Sequence, residues 1–372
     1  MSVVISGVGV WTPPFSISNT ELVDAYNAWA TQFNEHNAKQ IAQGLCEPKA
    51  LSSAEFIEKA SGIKSRYTYC KEGTLDVNRM RPKIAARSDD QLSHQAEIAL
   101  DAAKKALSAA NKSAQEIDAV IVSCSYTQRA YPAIAIEVQH ALGIKGFAFD
   151  MLVACSAATF GLHRAYEMIK AETARAVLVI NPELTSPQVN YTDRESHFIF
   201  GDVATATVVE SKATAHAEHC YEILSTRAET QFSNNIRSNF GYTARVSDTD
   251  PFEEAALFHQ NGKKVFKEVC PMAAQHLEAH IEQHNLSAHK VDRWWLHQAN
   301  INMNNLIVKR LLGRDADASK APIVLDRYAN TASAGSLVAF ALNHEDLSSG
   351  ATGVICSFGA GYSIGSLVLR KY

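Results

Sequence analysis

The stretch SAQEIDAVIVS at residues 113–123 returns 174 positions later as SAHKVDRWWLH at 287–297, and each copy follows a segment whose apolar residues have helical spacing. A second pair keeps the same order: FGDVATATVVE from Phe200 is answered 158 residues on by FGAGYSIGSLV from Phe358. Two matches in one order indicate two copies of a βαβ-rich unit packed about a pseudo-twofold axis. The competing account is chance similarity between Ala- and Val-rich strands. The surrounding pattern is α/β. AVIVSCS (119–125), FAFDMLV (147–153), AVLVINP (176–182) and ATATVVE (204–210) read as strands buried on both faces. LSHQAEIALDAAKKALSAA (92–110) and SAATFGLHRAYEMIKA (156–171) place apolar residues three and four apart, as amphipathic helices do. A chain of 372 residues has room for roughly two domains, and the repeat divides it into halves 1–211 and 212–372. Two segments fall outside the repeat. Residues 24–55 read as a mostly helical insertion carrying Tyr26, Trp29 and Phe33 on nearby faces. Residues 229–251 are polar and read as a long loop, a length at which functional lids and plain disorder both occur.

At 47% hydrophobic and 20% charged residues the chain is expected to be soluble, globular and able to bury a large core. A net charge of -4 argues against nonspecific nucleic-acid binding, which needs a strongly basic face. No apolar run approaches the ~18 residues that span a bilayer, and MSVVISGVGVW reads as a first strand, not a leader, so a cytoplasmic location is expected. Seven scattered cysteines without a CxxC pair fit neither a disulfide framework nor a zinc site.

Where does chemistry reside? In VACSAATFG, 153–161, a cysteine follows an apolar run and precedes a helical segment. A thiol in the first helical turn meets unpaired N–H groups and the positive end of the macrodipole, which lowers its pKa. Cys155 is thereby a candidate nucleophile, against the alternative of a small apolar filler. WWLHQANINM places His297 where an apolar strand gives way to polar residues, and open α/β sheets put ligands at such ends. DRYANTASAGS places Asn330 in a turn before another helix-like run. Taken singly, His297 reads as a structural histidine and Asn330 as a turn former or cap. Together with Cys155 they form a Cys, His, Asn set that straddles the pseudo-twofold axis.

These motifs resemble those of type III β-ketoacyl-acyl-carrier-protein synthases, condensing enzymes of the thiolase superfamily. The likeness runs from GVGVWTP through SNTELV, SGIKSRY, AYPAIAIEVQHALGI, VACSAATFG, FGDVATA, NGKKVFKEV, LHQAN and ANTASAG to SFGAGYSIGS. It covers nearly the whole chain outside the insertion and the polar loop. The resemblance implies a five-layer αβαβα sandwich of two duplicated halves. It implies that Cys155 takes an acyl group from an acyl-CoA and that the acyl-enzyme is attacked by a carbanion formed when malonyl-ACP loses CO2. His297 and Asn330 would donate hydrogen bonds to the malonyl thioester oxygen, and the N–H groups of Cys155 and Ala360 would form the oxyanion hole. Phe56, Arg194, Gly262 and Ala299 would bind CoA or phosphopantetheine, while Ser125 and Tyr131 would shape the acyl pocket, Tyr131 from the neighbouring subunit of a homodimer. Lys267, Lys309 and Arg310 would dock the acyl carrier protein. No metal or redox cofactor is required.

Departures from the family pattern bear on substrate binding. The aromatic and arginine that clasp the CoA adenine fall on Phe56 and Ala60, so half of that clasp is missing, and an arginine expected just after HQAN is Asn302. Rival enzymes fit less well. A papain-like hydrolase shares the order Cys, His, Asn but lacks the repeat. A degradative thiolase needs a second cysteine where Ser357 stands, and Cys356 is one residue off, on the opposite face of a strand. A chalcone-synthase-like enzyme carries His-Pro-Gly where this chain has His297-Gln298-Ala299. Two readings stay open beside the main one: a condensing enzyme of a polyketide or other secondary-metabolite pathway, and a noncatalytic partner of the acyl carrier protein, which would be expected to lack the cysteine. The insertion and the long loop are shared with longer family members that accept medium-chain primers, so a primer longer than acetyl, such as octanoyl-CoA, is expected.

Overall fold

The computed structural model describes residues 1–246, 257–315 and 317–372. The first half runs β1 (Val3–Trp11), β2 (Phe15–Ser18), α1 (Asn19–His36), α2 (Ala38–Ala42), α3 (Ala54–Ser61), β3 (Ser65–Thr68), α4 (His94–Ala109), β4 (Ala119–Cys124), α5 (Ile134–Leu142), β5 (Phe147–Leu152), α6 (Ala157–Lys170), β6 (Ala176–Glu183) and β7 (Val203–Ser211). The second runs β8 (Tyr221–Ser233), β9 (Ile236–Arg237), α7 (Tyr242–Arg245), β10 (His259–Gln260), α8 (Gly262–Glu282), β11 (Arg293–Leu296), α9 (Ile301–Leu312), α10 (Leu325–Tyr328), α11 (Gly335–Leu342), β12 (Thr352–Gly359) and β13 (Gly361–Lys371). No helix among the described residues is long and apolar enough to cross a membrane.

The repeat is visible in the strand pairing. In the first half β4 and β6 are parallel, β6 and β7 antiparallel, and β7 and β1 antiparallel. In the second, β11 and β12 are parallel, β12 and β13 antiparallel, and β13 and β8 antiparallel. The two sets meet where β1 pairs with β8 through Val4 and Ile5, giving the order β11-β12-β13-β8-β1-β7-β6-β4-β5.

Strand alternation then builds the layers. Val120 and Val122 of β4 face α4 and α5 on one outer side. Ile121, its neighbour, faces a central core that α6 and α11 share with both sets of strands, including Trp295 and Ile355. Trp294 and Val354 face α8 and α9 on the other outer side. The result is the five-layer αβαβα sandwich, with α6 and α11 in the middle.

Three expectations change. FAFDMLV is not buried on both faces: β5 is the outermost strand, and Phe147 and Leu152 are exposed because nothing among the described residues pairs beyond it. Residues 229–233 are not loop, since they complete β8 against β13, where polar side chains are tolerated on the solvent face. Residues 247–251 of that stretch lie outside the described residues. The insertion's helix starts earlier, at Asn19, because Ser18 and Glu21 form a capping box, and it is α1 that carries the Tyr26, Trp29, Phe33 ladder. Residues 43–53 double back along α1, tied by Asn34 to Lys49 and by Asn27 to Ser52.

Candidate active site

Both central helices begin with the same device. A 3-10 turn, Ala154–Ser156, leads into α6, and another, Ala332–Ala334, leads into α11. In each the first residue is an alanine held at positive φ, 45° at Ala154 and 47° at Ala332. Such backbone is costly for a residue with a Cβ and persists where packing over-determines it. The first elbow presents Cys155. Asn330 stands just ahead of the second, its backbone pinned to the first half by Asn330 N–H to the Ile199 carbonyl (3.0 Å) and Gly201 N–H to the Asn330 carbonyl (3.0 Å). The Ala332 N–H donates to Asn330 Oδ1 at 2.9 Å, which fixes the carboxamide and leaves its NH2 as a donor. His297 follows directly on β11, its ring edge-on to Phe358 at 5.2 Å.

Cys155, His297 and Asn330 line one end of a single cavity of about 930 Å³. The backbone N–H groups of Ala360 and of Cys155 itself point at the sulfur. Gly359 makes this approach feasible, since a Cβ there would lie 2.5 Å from Cys155 Cβ and 3.1 Å from Sγ. The expectation of an acidified thiol does not hold. Burial, the larger cause, and the carboxylate of Glu183 push Cys155 up to about 12, and the two N–H donors offset this only in part. Burial likewise lowers His297 to about 4, so its imidazole is neutral at physiological pH. Its Nδ1 is buried and has no hydrogen-bond partner among the described residues.

Further out, Phe56, Gly262 and Ala299 line the cavity, as does Ala60. Arg194 packs its guanidinium over the Phe56 ring at 3.9 Å and donates from Nε to the Leu51 carbonyl at 2.8 Å. The returning arm of the insertion thus orients Arg194, which stands behind Phe56 and does not itself line the cavity. Ser125 does not line the cavity of the single chain, and its hydroxyl donates to Glu183 at 2.5 Å, a commitment that the preceding apolar strand could not reveal. Tyr131 is 76% exposed on this chain's own surface. Lys267 on α8 and Lys309 and Arg310 on α9 are exposed, and α8 and α9 pack together in one outer layer. Cys356 is fully buried among Val354, Phe358 and the α8–α9 core, while Ser357 points the other way to Ser336 at 2.7 Å. Sequence reasoning missed Phe358 as the wall behind His297 and Glu183 as the acid beside the thiol. The signal for Glu183 was a carboxylate closing the apolar run AVLVINPE.

Comparison with known proteins follows the same lines. The family model described as 3-oxoacyl-[acyl-carrier-protein] synthase III matches residues 149–231, and that of its C-terminal part matches residues 281–371. A beta-ketodecanoyl-[acyl-carrier-protein] synthase of Pseudomonas aeruginosa is 53% identical over 350 residues, covering 94% of this chain and 100% of that protein. A beta-ketoacyl-[acyl-carrier-protein] synthase III of Granulibacter bethesdensis is 28% identical over 99% of this chain and 98% of its own. Among solved structures, 3-oxoacyl-[acyl-carrier-protein] synthase III from Aquifex aeolicus superposes with a TM-score of 0.76 at 24% identity, covering 99% of both chains.

Proposed function

The chain belongs to the 3-oxoacyl-[acyl-carrier-protein] synthase III family of condensing acyltransferases, and from that premise we propose that it joins a medium-chain acyl-CoA, octanoyl-CoA foremost, to malonyl-ACP through an acyl-Cys155 intermediate. The observation that carries the assignment of roles is the meeting of Cys155, His297 and Asn330 at one end of the cavity, with two backbone N–H groups aimed at the sulfur.

In the first half-reaction Sγ of Cys155 attacks the thioester carbonyl. The oxyanion is held by the Cys155 and Ala360 N–H groups, and CoA departs carrying the thiol proton. In the second, the malonyl carboxylate leaves as CO2 and its electrons pass to the thioester oxygen. The neutral imidazole of His297 and the NH2 of Asn330 donate to that oxygen. The carbanion attacks the acyl-Cys155 carbonyl, the thiolate is expelled, and the product is a 3-oxoacyl chain two carbons longer.

A β-ketodecanoyl product made this way requires an eight-carbon primer, which is the basis for octanoyl. Support for a homodimer comes from the unpaired outer edge of β5. Asp150 of that strand accepts from the N–H groups of Ile134 and Ala135, which holds the start of α5, and with it the exposed Tyr131, on the same flank. Lys267, Lys309 and Arg310 offer positive charge to an acidic carrier, although Lys309 also pairs with Asp315 at 3.5 Å. Phe56 and Arg194 act as the CoA clasp. Intact-protein mass spectrometry after incubation with mixed acyl-CoAs tests the reading. A mass increase of one octanoyl group, located on Cys155, is expected, and an adduct on another cysteine or none at all would refute it.

A further inference from the structure

The pseudo-twofold axis gives each part of the nucleophile's surroundings a counterpart. Cys155 is the middle residue of the first elbow, and Ser333 is the middle residue of the second. Gly359 closes the eight-residue strand β12, and Glu183 closes the eight-residue strand β6. The contact of Gly359 with Cys155, where no side chain fits, is therefore mirrored by a contact of Glu183 with Ser333. In the second elbow a carboxylate occupies the place that the first keeps empty.

That carboxylate is wholly buried and fully engaged. The Ser333 hydroxyl donates to Glu183 Oε1, as does the Ser333 N–H at 3.2 Å. The Ser125 N–H donates to Oε1 at 3.0 Å and the Ser125 hydroxyl to Oε2 at 2.5 Å. No cation pairs with it among the described residues. Ser125 follows β4 of the first half, and Ser333 lies three residues after Asn330 in the second. One buried acid thus ties the Asn330 turn across the axis to the end of a first-half strand.

We propose that Glu183 is a positioning residue: its carboxylate locks the second elbow, and with it Asn330, in register with Cys155. Buried carboxylates of this kind hold geometry through hydrogen bonds that are costly to leave half made. Glu183 itself is raised to about 7, chiefly by burial, so it is largely ionised at pH 8.5. The inference rests on the function proposed above, which condensation by the parent protein in the same assay tests separately.

Two variants separate charge from clamp. Glu183→Gln retains an acceptor oxygen for the Ser125 and Ser333 N–H groups and an NH2 that can donate to the Ser125 hydroxyl, so it removes the charge alone. Glu183→Ala removes both. In single-turnover assays with octanoyl-CoA and then malonyl-ACP, Glu183→Ala is expected to slow condensation by on the order of a hundredfold while acyl-Cys155 formation stays within about threefold of the parent. Glu183→Gln should restore condensation to within about threefold. The double variant Ser125→Ala/Ser333→Ala, which leaves Glu183 in place but removes both hydroxyl donors, should also slow condensation. Equal losses in both half-reactions of Glu183→Ala, or a Gln variant as slow in condensation as Ala, would each overturn the proposal. Thermal unfolding of each variant identifies any that fails to fold, and the double variant then decides the clamp.

Discussion

Replacement of Gly359 by alanine is the most direct test of how the nucleophile is held. Gly359 does not sit at positive φ, so alanine is conformationally acceptable there and the effect is purely steric. The new Cβ would lie 2.5 Å from Cys155 Cβ, whereas non-bonded carbons settle at roughly 3.5–4.0 Å. The two elements must therefore part by about 1 Å. Strand β12 has little freedom to yield, because Gly359 is paired with Ser363 of β13 and Leu296 and Cys356 are paired further along the same strand. The displacement falls on the Ala154–Ser156 elbow and carries Sγ away from the Ala360 N–H. Overpacking of this size typically costs about 1–3 kcal/mol of stability, and a misplacement of about 1 Å at a reacting atom costs on the order of a hundredfold in rate. Rapid-quench mass spectrometry of acyl transfer from octanoyl-CoA, with thermal unfolding alongside, measures both. A Gly359→Ala variant that acylates within about threefold of the parent would show that the elbow is not seated against β12 as described.

The other expectations can be checked separately. Cys155→Ala should abolish the acyl adduct while Cys356→Ala retains it, since Cys356 is sealed in the α8–α9 core; intact mass decides between them. His297→Ala and Asn330→Ala should each slow condensation by on the order of a hundredfold and acylation far less, and equal loss in both steps would refute the division of roles. Buried His197, His297 and His344 are each lowered to about 4, with burial the largest cause. The unfolded chain, with histidines near 6.5, therefore binds more protons in this window. Stability should be full above about pH 6.5 and fall progressively toward pH 4, and a Tm unchanged between pH 7.5 and 5 would contradict this. In competition among acetyl- to decanoyl-CoA with malonyl-ACP, kcat/KM should peak at octanoyl; a maximum at acetyl with a steep decline would refute the medium-chain reading.

The sequence by itself determined the duplicated α/β architecture and singled out three candidate residues that the fold brings to one cavity. Both are written in local patterns: buried strands as Val- and Ile-rich runs, helices as three- and four-residue spacing, and the repeat as SAQEIDAVIVS and SAHKVDRWWLH. Cys155, His297 and Asn330 were legible because each stands where an apolar run breaks, and strand ends are where such folds expose chemistry. What lay beyond local pattern was set by packing. FAFDMLV has the composition of an inner strand, yet its place at the sheet edge depends on which strands pair, and no residue within it encodes that. The sign of the Cys155 shift needed the balance between helix-start donors and desolvation, and burial by residues distant in sequence decided it. Glu183 is 150 residues from Ser333 and 58 from Ser125, so its bonds from Ser125 need β4 and β6 paired and those from Ser333 exist only once the two halves close on each other. The carboxylate that joins the halves is invisible until folding brings both elbows to the same axis, because desolvation and hydrogen bonding act on neighbours in space and not in sequence.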